Sequence, residues 1–250
     1  MDTDRTDPTR YGRSFADVYD DWYAGAFDTD GAVATIVELA HGAPVLELGA
    51  GTGRLAIPLA TTGLEVVALD ASIEMLDRLR ANDRAGLVEP VVADMSSFAG
   101  ALPDRRFGVV VCAFNTILNL ADDAAIAACL ADVAAVLQPD GIVVIEAIVP
   151  ADPADVPIRS LTPAQVRTEA IVFVETNVDT TTGRLEGRHV EIADGAVRTR
   201  PWSIVLCGPD RLDAAAASVG LHRRHRWQDW NRQPFDDEST MHVSIYASGP

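Results

Sequence analysis

Lysine is absent from the 250-residue chain, so all 20 of its basic residues are arginines. Without lysine the chain cannot form a lysine Schiff base, and reactions of that type are excluded. The 37 acidic residues give a formal net charge of −17, which opposes sequence-independent binding to nucleic acid. Arginine without lysine indicates a GC-rich genome, with salt adaptation as the weaker alternative. The acidic surface would favour a cationic partner or aid solubility, and solubility is the simpler explanation.

Cysteine and long apolar runs are also scarce. Cys112, Cys129 and Cys207 are odd in number and far apart, and no Cys/His spacing suggests zinc, so we predict buried free thiols and no metal. No apolar run reaches membrane-spanning length, and the acidic N-terminus carries no secretory signal. The hydrophobic fraction of 48% is ample for a folded core. We therefore expect a soluble cytoplasmic protein that binds neither membrane nor nucleic acid.

A glycine-rich turn is the most informative stretch of the chain. The apolar run within Pro44–Leu48 predicts a buried parallel strand, and a helix is predicted over Arg54–Thr61. Between them lie Gly49, Gly51 and Gly53, which let the backbone approach a ligand. Because open α/β sheets bind ligands at the carboxyl ends of their strands, the turn predicts a site for a nucleotide-type ligand.

The residues around the turn distinguish between two ligand types. A dinucleotide site needs a third glycine where this chain has Arg54, so the spacing disfavours a nicotinamide cofactor. Glu47, two residues before the first glycine, suits a cationic ligand without phosphate better than a pyrophosphate. Asp70 ends the next predicted strand about 20 residues after the turn, where this architecture holds ribose hydroxyls. Ser72 is a better candidate than Asp70 for capping the following helix.

Strands and helices continue to alternate up to residue 150, which predicts a doubly wound parallel sheet. Asp94 follows the predicted strand Val88–Val92 at the same sheet edge. Asn115 follows the next strand and is expected to form a site wall, although local backbone could also satisfy its side chain. Glu146, near the end of the fifth strand, needs a partner or a site because burial of a lone carboxylate is costly.

The pattern changes after Pro150. Three β-rich runs, separated by turn residues, predict an antiparallel meander that covers the ligand edge or pairs with a second subunit. These runs are Glu169–Asn177, Arg184–Ile192 and Val197–Cys207.

The remaining elements complete the predicted fold. A helix over Pro209–Val219 precedes two strands, Leu221–Trp227 and His242–Ala247, that close the sheet with an antiparallel edge. We predict an α/β fold: a doubly wound, Rossmann-like seven-stranded sheet with an antiparallel strand pair at one edge and an inserted three-stranded antiparallel meander. The expected units are N-terminal lid helices (1–43), a ligand-binding domain (44–150 and 208–250) and the inserted meander (151–207).

Aromatic residues near the N-terminus recur every three or four positions, which places them on one face of a predicted helix. Tyr19 and Tyr23 carry polar tips that need partners if buried, so we expect them in a lid over the ligand. Phe15 and Trp22 are interpreted as packing against the sheet. The full series is Tyr11, Phe15, Tyr19, Trp22 and Tyr23.

Taken in order, the glycine turn, Asp70, Asp94 and the turn Pro139-Asp140-Gly141 resemble the class I S-adenosylmethionine (SAM) methyltransferases. A closer resemblance, to the amino-sugar N,N-dimethyltransferases of macrolide pathways, rests on the segment 16–20 with Tyr23, the pair Phe114-Asn115, the run 143–146 and the late meander. It implies that the N-terminal helix closes over SAM and that the meander forms a homodimer interface.

The resemblance also implies residue roles. Asp94 is expected to accept from the adenine amino group, with the Met95 backbone alongside. The expected SAM contacts are Tyr11, Tyr19, Glu47, Gly49, Ala50, Gly51, Gly53, Arg54, Asp70, Ala71, Met75, Asp94, Met95 and Phe114.

The expected reaction is in-line transfer of a methyl group from SAM to an amine, which leaves S-adenosylhomocysteine (SAH). Candidates for orienting the amine or receiving its proton are Tyr23, Asn115, Asn119 and Glu146. Asn119 stands where the resembled family can carry a histidine, and it cannot act as a base at neutral pH. His189 is interpreted as a surface residue of the meander and only distantly as a base. An amino sugar or other natural-product amine, a peptide amine and a hydroxyl all remain open as acceptors, and so does a binding protein without catalysis.

Overall fold

The computed structural model describes residues 7–151, 158–166, 170–179 and 182–249. Over these ranges the helices are α1 (Arg10–Phe15), α2 (Tyr19–Trp22), α3 (Thr29–Ala40), α4 (Ala56–Thr61), α5 (Ile73–Asn82), α6 (Asp123–Val136) and α7 (Pro209–Ser218). The strands are β1 (Val45–Leu48), β2 (Val66–Asp70), β3 (Val88–Val92), β4 (Phe107–Cys112), β5 (Leu137–Ile148), β6 (Arg159–Val166), β7 (Ala170–Asp179), β8 (Arg184–Ala193), β9 (Ala196–Val205), β10 (Leu221–Trp227) and β11 (Met241–Ser248).

A seven-stranded sheet with the order β10-β11-β5-β4-β1-β2-β3 forms the centre of the fold. Strands β1 to β5 pair in parallel, and β11 pairs antiparallel with both β5 and β10. The predicted doubly wound sheet with an antiparallel edge is therefore confirmed. The apolar side chains of β1 and β4 are almost fully buried, as central parallel strands covered on both faces require.

Helices cover both faces of this sheet. On one face, α6 and α7 pack in a hydrophobic cluster that includes Ile126, Leu212 and Tyr246. On the other face, α3, α4 and α5 contribute Ile36 and Leu59, among others, to a second cluster. Because both faces are anchored in this way, the loops at the carboxyl ends of the strands are held at one fixed edge.

One feature predicted from scarce residues is also visible. The three cysteines are free and buried, as expected. No helix within the described ranges is long and apolar enough to span a membrane.

The inserted antiparallel meander is confirmed as a second sheet, with the order β6-β7-β8-β9. It has four strands where the sequence predicted three. The additional strand, β6, contains Pro163 and precedes the first of the three predicted runs. Proline is tolerated there because β6 is an edge strand, and its register with β7 shifts between Pro163 and Gln165.

The N-terminal aromatic segment forms two short helices, α1 and α2, in place of the single predicted helix. The break lies at residues 16–18, between the two turns that carry Phe15 and Trp22. Both of these side chains are buried, together with Met75 of the large sheet's helix α5 and Val172 of the second sheet. The segment is thus packed between the two sheets.

Candidate active site

A cavity of about 340 Å³ opens at the carboxyl ends of the parallel strands, a size typical of small-molecule sites. Its walls come from the loops after β1 to β4, from the N-terminal helices and from β8 and β9. The expected site residues that line it are Tyr11, Tyr19, Tyr23, Gly49, Gly51, Asp70, Ala71, Met75, Asp94, Met95, Phe114, Asn115 and Asn119. Among the described residues, Glu47, Ala50, Gly53, Arg54 and Glu146 lie outside this lining.

The glycine turn forms the floor of the cavity. Gly49 and Gly51 have φ angles of 63° and 58°, a left-handed backbone that glycine adopts without steric cost. A Cβ atom on Gly49 would lie 2.3 Å from Cγ2 of Thr116, whereas a Cβ atom on Gly51 would meet no atom within 4 Å. The space in front of Gly51 is therefore open for a ligand to approach the backbone.

Asp70 ties the glycine turn to the end of β2. Its Oδ2 accepts from the Gly51 amide at 2.9 Å, and its Oδ1 accepts from the Ser72 amide at 2.8 Å. Burial raises the pKa of Asp70, although these amide hydrogen bonds act in the opposite direction. Each carboxylate oxygen keeps a second lone pair, so the side chain can accept from ligand hydroxyls while it holds the turn. Ser72 caps α5, as predicted, by accepting from the Met75 amide at 3.3 Å.

Asp94 lies at the neighbouring strand end, after β3. Its Oδ1 accepts from the Ser96 amide at 2.8 Å, which closes a local turn. The same residue borders the cavity beside Met95 and Ser96. Asp94 is thus both an ordinary turn residue and a carboxylate on the cavity wall.

Glu47 and Arg54 lie beneath and beside the glycine turn. The Glu47 side chain is 5% exposed, and its Oε2 has no hydrogen-bond partner among the described residues. Burial raises the pKa of Glu47 to about 8, and the charge of Arg54 opposes this rise. The Arg54 guanidinium lies 4.2 Å from the ring centroid of Phe27 and donates to Thr29 Oγ1 at 3.2 Å.

Three tyrosines of the N-terminal segment close the cavity from above. Burial raises the pKa of Tyr11, Tyr19 and Tyr23, so all three phenols are neutral at neutral pH. Tyr23 adds to the rise in the pKa of Tyr11, and the positive charge of Arg54 opposes the rise in the pKa of Tyr19. The lid therefore presents neutral hydroxyls and aromatic faces to the cavity.

Polar contacts fasten this lid to both neighbouring parts of the protein. Asp20 accepts from Thr52 Oγ1 of the glycine turn at 2.6 Å. On the other side, Asp17 accepts from Arg200 of β9 at 2.6 Å. Residues far apart in sequence thus close the cavity together, which the linear spacing alone did not reveal.

Glu146 supports the site from behind. Its Oε2 accepts from the Phe114 amide at 2.8 Å and its Oε1 accepts from Trp230 Nε1 at 2.7 Å. Phe114 and Asn115 have φ angles of 50° and 62°, a left-handed conformation that is uncommon for residues other than glycine and is tolerated better by asparagine than by phenylalanine. The amide oxygen of Asn115 accepts from the Ile148 amide at 2.7 Å. Glu146 and Asn115 therefore stabilise the strained exit of β4 through backbone groups.

Asn119 borders the cavity at the far end of that exit. Its Nδ2 donates to the Thr116 carbonyl at 3.3 Å, and its side chain is exposed. Thr116 itself also lines the cavity, which the sequence did not indicate.

The second sheet contributes a wall that the sequence largely missed. His189 of β8 and Trp202 of β9 both line the cavity, with Ser203 and Ile204. His189 is half-buried, so the expectation of a surface histidine is wrong. Side chains alternate between the two faces of a strand, so the sequence does not show which face His189 occupies. The packing of His189 against Phe15 and Trp22 of the lid places its side chain on the inner face.

The residues present fit the cofactor that the resemblance implies. The cavity offers open backbone at Gly51 and two carboxylates at adjacent strand ends, Asp70 and Asp94. An unpartnered, buried Glu47 oxygen beneath the turn suits a ligand that carries positive charge. In the described part of the chain, no cluster of three His, Cys, Asp or Glu side chains could hold a metal ion.

Comparison with known proteins gives a consistent pattern. A family model described as a methyltransferase domain matches residues 45–141. The cypemycin N-terminal methyltransferase of Streptomyces sp is 31% identical over 151 residues, which cover 59% of this chain and 60% of that protein. The chain thus matches less than two thirds of that relative's length.

Solved structures extend the likeness to the whole chain. The CcbJ methyltransferase from Streptomyces caelestis superposes with a TM-score of 0.92 and 32% identity, covering 98% of this chain and 100% of that one. SAM-bound CalS10, an amino pentose methyltransferase from Micromonospora echinaspora, has a TM-score of 0.68 and 21% identity, with coverage of 91% and 96%. The latter likeness is one of fold.

Proposed function

We propose that this chain, which belongs to the class I SAM-dependent methyltransferases, transfers a methyl group from SAM to an amine nitrogen of a small natural-product molecule. Its cofactor is SAM, and the product of the transfer is SAH. The proposal draws support from the full-length likeness to the CcbJ methyltransferase and from a relative whose name describes methylation of an N-terminus.

We assign SAM to the end of the cavity floored by the glycine turn. Asp70 would accept from the ribose hydroxyls while it holds the Gly51 amide, and Asp94 would accept from the adenine amino group. Glu47, which ionises when the cationic ligand binds, would stabilise the positive charge of the ligand from beneath.

Bound there, SAM supplies a methyl group already activated by its sulfonium sulfur. The protein's task is to align this carbon with the acceptor at about 3–3.5 Å and to exclude water. Tyr11, Tyr19 and Tyr23 would serve both purposes, because they close the cavity and are held in place through Asp17 and Asp20.

The observation that carries the choice of an amine is the chemistry of the remaining cavity wall. Tyr23, Asn119, His189 and Trp202 offer neutral polar groups and aromatic faces to an acceptor. Asp7 also lines the cavity, but its carboxylate oxygens accept from Thr9 and Arg13. An ammonium ion beside the neutral groups therefore has no free carboxylate partner among them, and desolvation lowers its pKa toward neutrality. The neutral amine, which has the lone pair needed for attack, is thereby favoured.

The expected catalytic residues divide into two groups. Tyr23 and Asn119 would orient the amine by accepting its N–H hydrogens. Asn115 and Glu146 would act indirectly, since their side-chain oxygens accept from backbone amides and, in Glu146, from Trp230. They position the exit of β4 that carries Phe114 and Asn119.

A peptide amine is the second candidate acceptor. A groove of about 270 Å³ shares Arg10, Trp202 and Ser203 with the main cavity and continues over Gly187. Charged side chains along it, including Glu175 and Arg188, could contact a chain longer than the cavity. The cypemycin relative favours this candidate, whereas no observation favours a hydroxyl acceptor.

The test is an acceptor panel incubated with SAM and analysed by mass spectrometry. It pairs each amine with its hydroxyl analogue and includes amino sugars, free amino acids and short peptides. We expect one added methyl group on amines and none on the matched alcohols. Methylation of the alcohols in preference to the amines would refute the proposal.

We further propose that residues 151–207 serve both the acceptor site and a homodimer. On the face of the second sheet, Ile171 pairs with Ile192 and Ile192 pairs with Val197, which forms a cross-strand row. These side chains are 39%, 44% and 65% exposed, so the row is an apolar stripe on the surface. A second copy of the chain would cover it.

Light scattering of the wild-type protein and of Ile192→Glu tests the interface. We expect a dimer for the wild type and a monomer for the variant. Leu87→Glu is the matched control, because Leu87 is 47% exposed and lies outside the second sheet. A monomeric wild-type protein would contradict the proposed interface.

A further inference from the structure

His189 occupies the cavity wall contributed by the second sheet, beside Trp202. Its ring lies 5.1 Å from Phe15, 5.5 Å from Trp22 and 6.3 Å from Trp202, measured between centroids. These aromatic side chains come from α1, α2 and β9, so the imidazole is held from three directions. Its Nδ1 is buried and has no hydrogen-bond partner among the described residues.

The other titratable groups on the cavity wall are poor proton acceptors. Hydrogen bonds from Thr9, together with the Arg13 guanidinium, hold the pKa of Asp7 below its usual value. The tyrosines are neutral phenols, and Arg10 is a permanent cation.

Asp70 and Asp94 border the cofactor end of the cavity, where each already accepts from backbone amides. Asn119 cannot take a proton at neutral pH, and Glu146 lies behind the wall with both carboxylate oxygens engaged. In the described part of the chain, His189 is therefore the lining group that is neutral and basic at the same time.

The charged groups around His189 favour its neutral form. Arg200 pairs with it across β8 and β9, and burial together with this positive charge lowers the pKa of His189. Two carboxylates partly offset the positive charge of Arg200. Asp17 on the lid lies 2.6 Å from Nη1 of Arg200, and Glu191, on the same face of β8 as His189, lies 3.7 Å from its Nη2. The imidazole is thus unprotonated at neutral pH, as a proton acceptor must be.

We propose that His189 is the catalytic base that takes the proton from the ammonium form of the acceptor. This inference rests on the proposed N-methylation. An N–H bond of the ammonium breaks, its electron pair stays on nitrogen, and the imidazole becomes an imidazolium. The freed pair then forms the bond to the methyl carbon of SAM, while the C–S pair remains on sulfur and yields SAH. The imidazolium returns its proton to solvent.

Desolvation makes this proton transfer accessible. An alkylammonium in water has a pKa of about 10, well above that of imidazole. A buried ammonium without a carboxylate partner has a strongly lowered pKa, so its pKa comes closer to that of the imidazole. Proton transfer from cation to neutral base also conserves charge, so the apolar wall of Phe15, Trp22 and Trp202 does not oppose it.

His189→Phe and His189→Gln test the assignment, with His225→Gln as the matched control. His225 is an exposed histidine on β10, outside the cavity lining. The readouts are SAH affinity by calorimetry and kcat/KM between pH 6 and 10 for an amine that the acceptor panel identifies. Glutamine keeps a hydrogen-bond acceptor but cannot take a proton, so it separates proton transfer from positioning.

We expect both His189 variants to bind SAH with unchanged affinity and to lose about 100-fold or more in kcat/KM at pH 7. The loss should shrink as the pH approaches the pKa of the amine in water, where the neutral acceptor is already abundant. Wild-type kcat/KM in His189→Gln would overturn the assignment, and so would a loss that is constant across the pH range. Absence of methylation of any amine by the wild-type protein would instead contradict the proposed function itself.

Discussion

Binding of SAM near neutral pH is expected to release a proton from Glu47. With a pKa of about 8, this carboxyl group is about nine-tenths protonated at pH 7 in the free protein. A cationic ligand beside the buried side chain favours the ionised form. If the pKa falls below about 6 in the complex, roughly 0.8 proton leaves per SAM at pH 7, and almost none leaves at pH 9.5.

Calorimetry in buffers of different ionisation enthalpy counts this proton. Glu47→Gln is the reference, because it keeps the shape of the side chain and removes its titration. The difference between the two proteins isolates Glu47 from protons carried by SAM itself. Equal proton counts for wild type and variant at pH 7 would refute the assignment of Glu47 to the cationic part of the ligand.

The same carboxyl group gives the free protein a pH-dependent stability. Its pKa in the fold, about 8, exceeds the ordinary value of 4.5, so the folded state binds more protons than the unfolded state between these values. Stability is therefore lost as the pH rises from about 4.5 to 8. Thermal unfolding should show this slope in the wild type and a flatter one in Glu47→Gln; the same slope in both proteins would contradict the assigned pKa.

Three further substitutions follow from individual contacts. Asp70→Asn removes a charged acceptor that holds the Gly51 amide and should weaken SAM binding roughly 10- to 150-fold, the equivalent of one charge-assisted hydrogen bond, in a calorimetric titration. Trp230→Phe leaves Oε1 of Glu146 without its donor and should lower the free energy of unfolding by about 1–3 kcal/mol in urea titrations. Asp17→Asn weakens the clamp on the lid and should raise the Kd for SAM only about fivefold, because that carboxylate is 56% exposed. Asp77→Asn, which removes an exposed carboxylate outside the cavity lining, is the common control in all three assays. In any one assay, a change in Asp77→Asn as large as that in the tested variant would contradict the interpretation of that variant.

The spacing of residues close together in the sequence predicts much of the fold and of the cofactor end of the site. The glycine turn and Asp70 and Asp94 are each read from residues next to a strand end, and the parallel sheet then brings those ends to one edge. The antiparallel meander was visible for the same reason, since its turns lie between its strands.

Features that depend on tertiary packing were not accessible from the sequence. Pro163 argues against a strand at β6 in the sequence. A proline is tolerated in an edge strand, and only the assembled sheet shows that β6 lies at an edge. Side chains alternate between the two faces of β8, and the sequence does not show which face is buried. His189 lies on the inner face because the lid packs over it. The sequence indicates that Glu146 needs a partner, but its donor, Trp230, lies 84 positions away in the chain.

The most direct test of the account is the destination of the methyl group. The protein is incubated with methyl-labelled SAM and an acceptor that carries both an amine and a hydroxyl group, and the product is located by fragment mass spectrometry. The account predicts label on nitrogen, with one SAH formed per methyl group transferred. Label on oxygen, or formation of SAH without a methylated product, would contradict it.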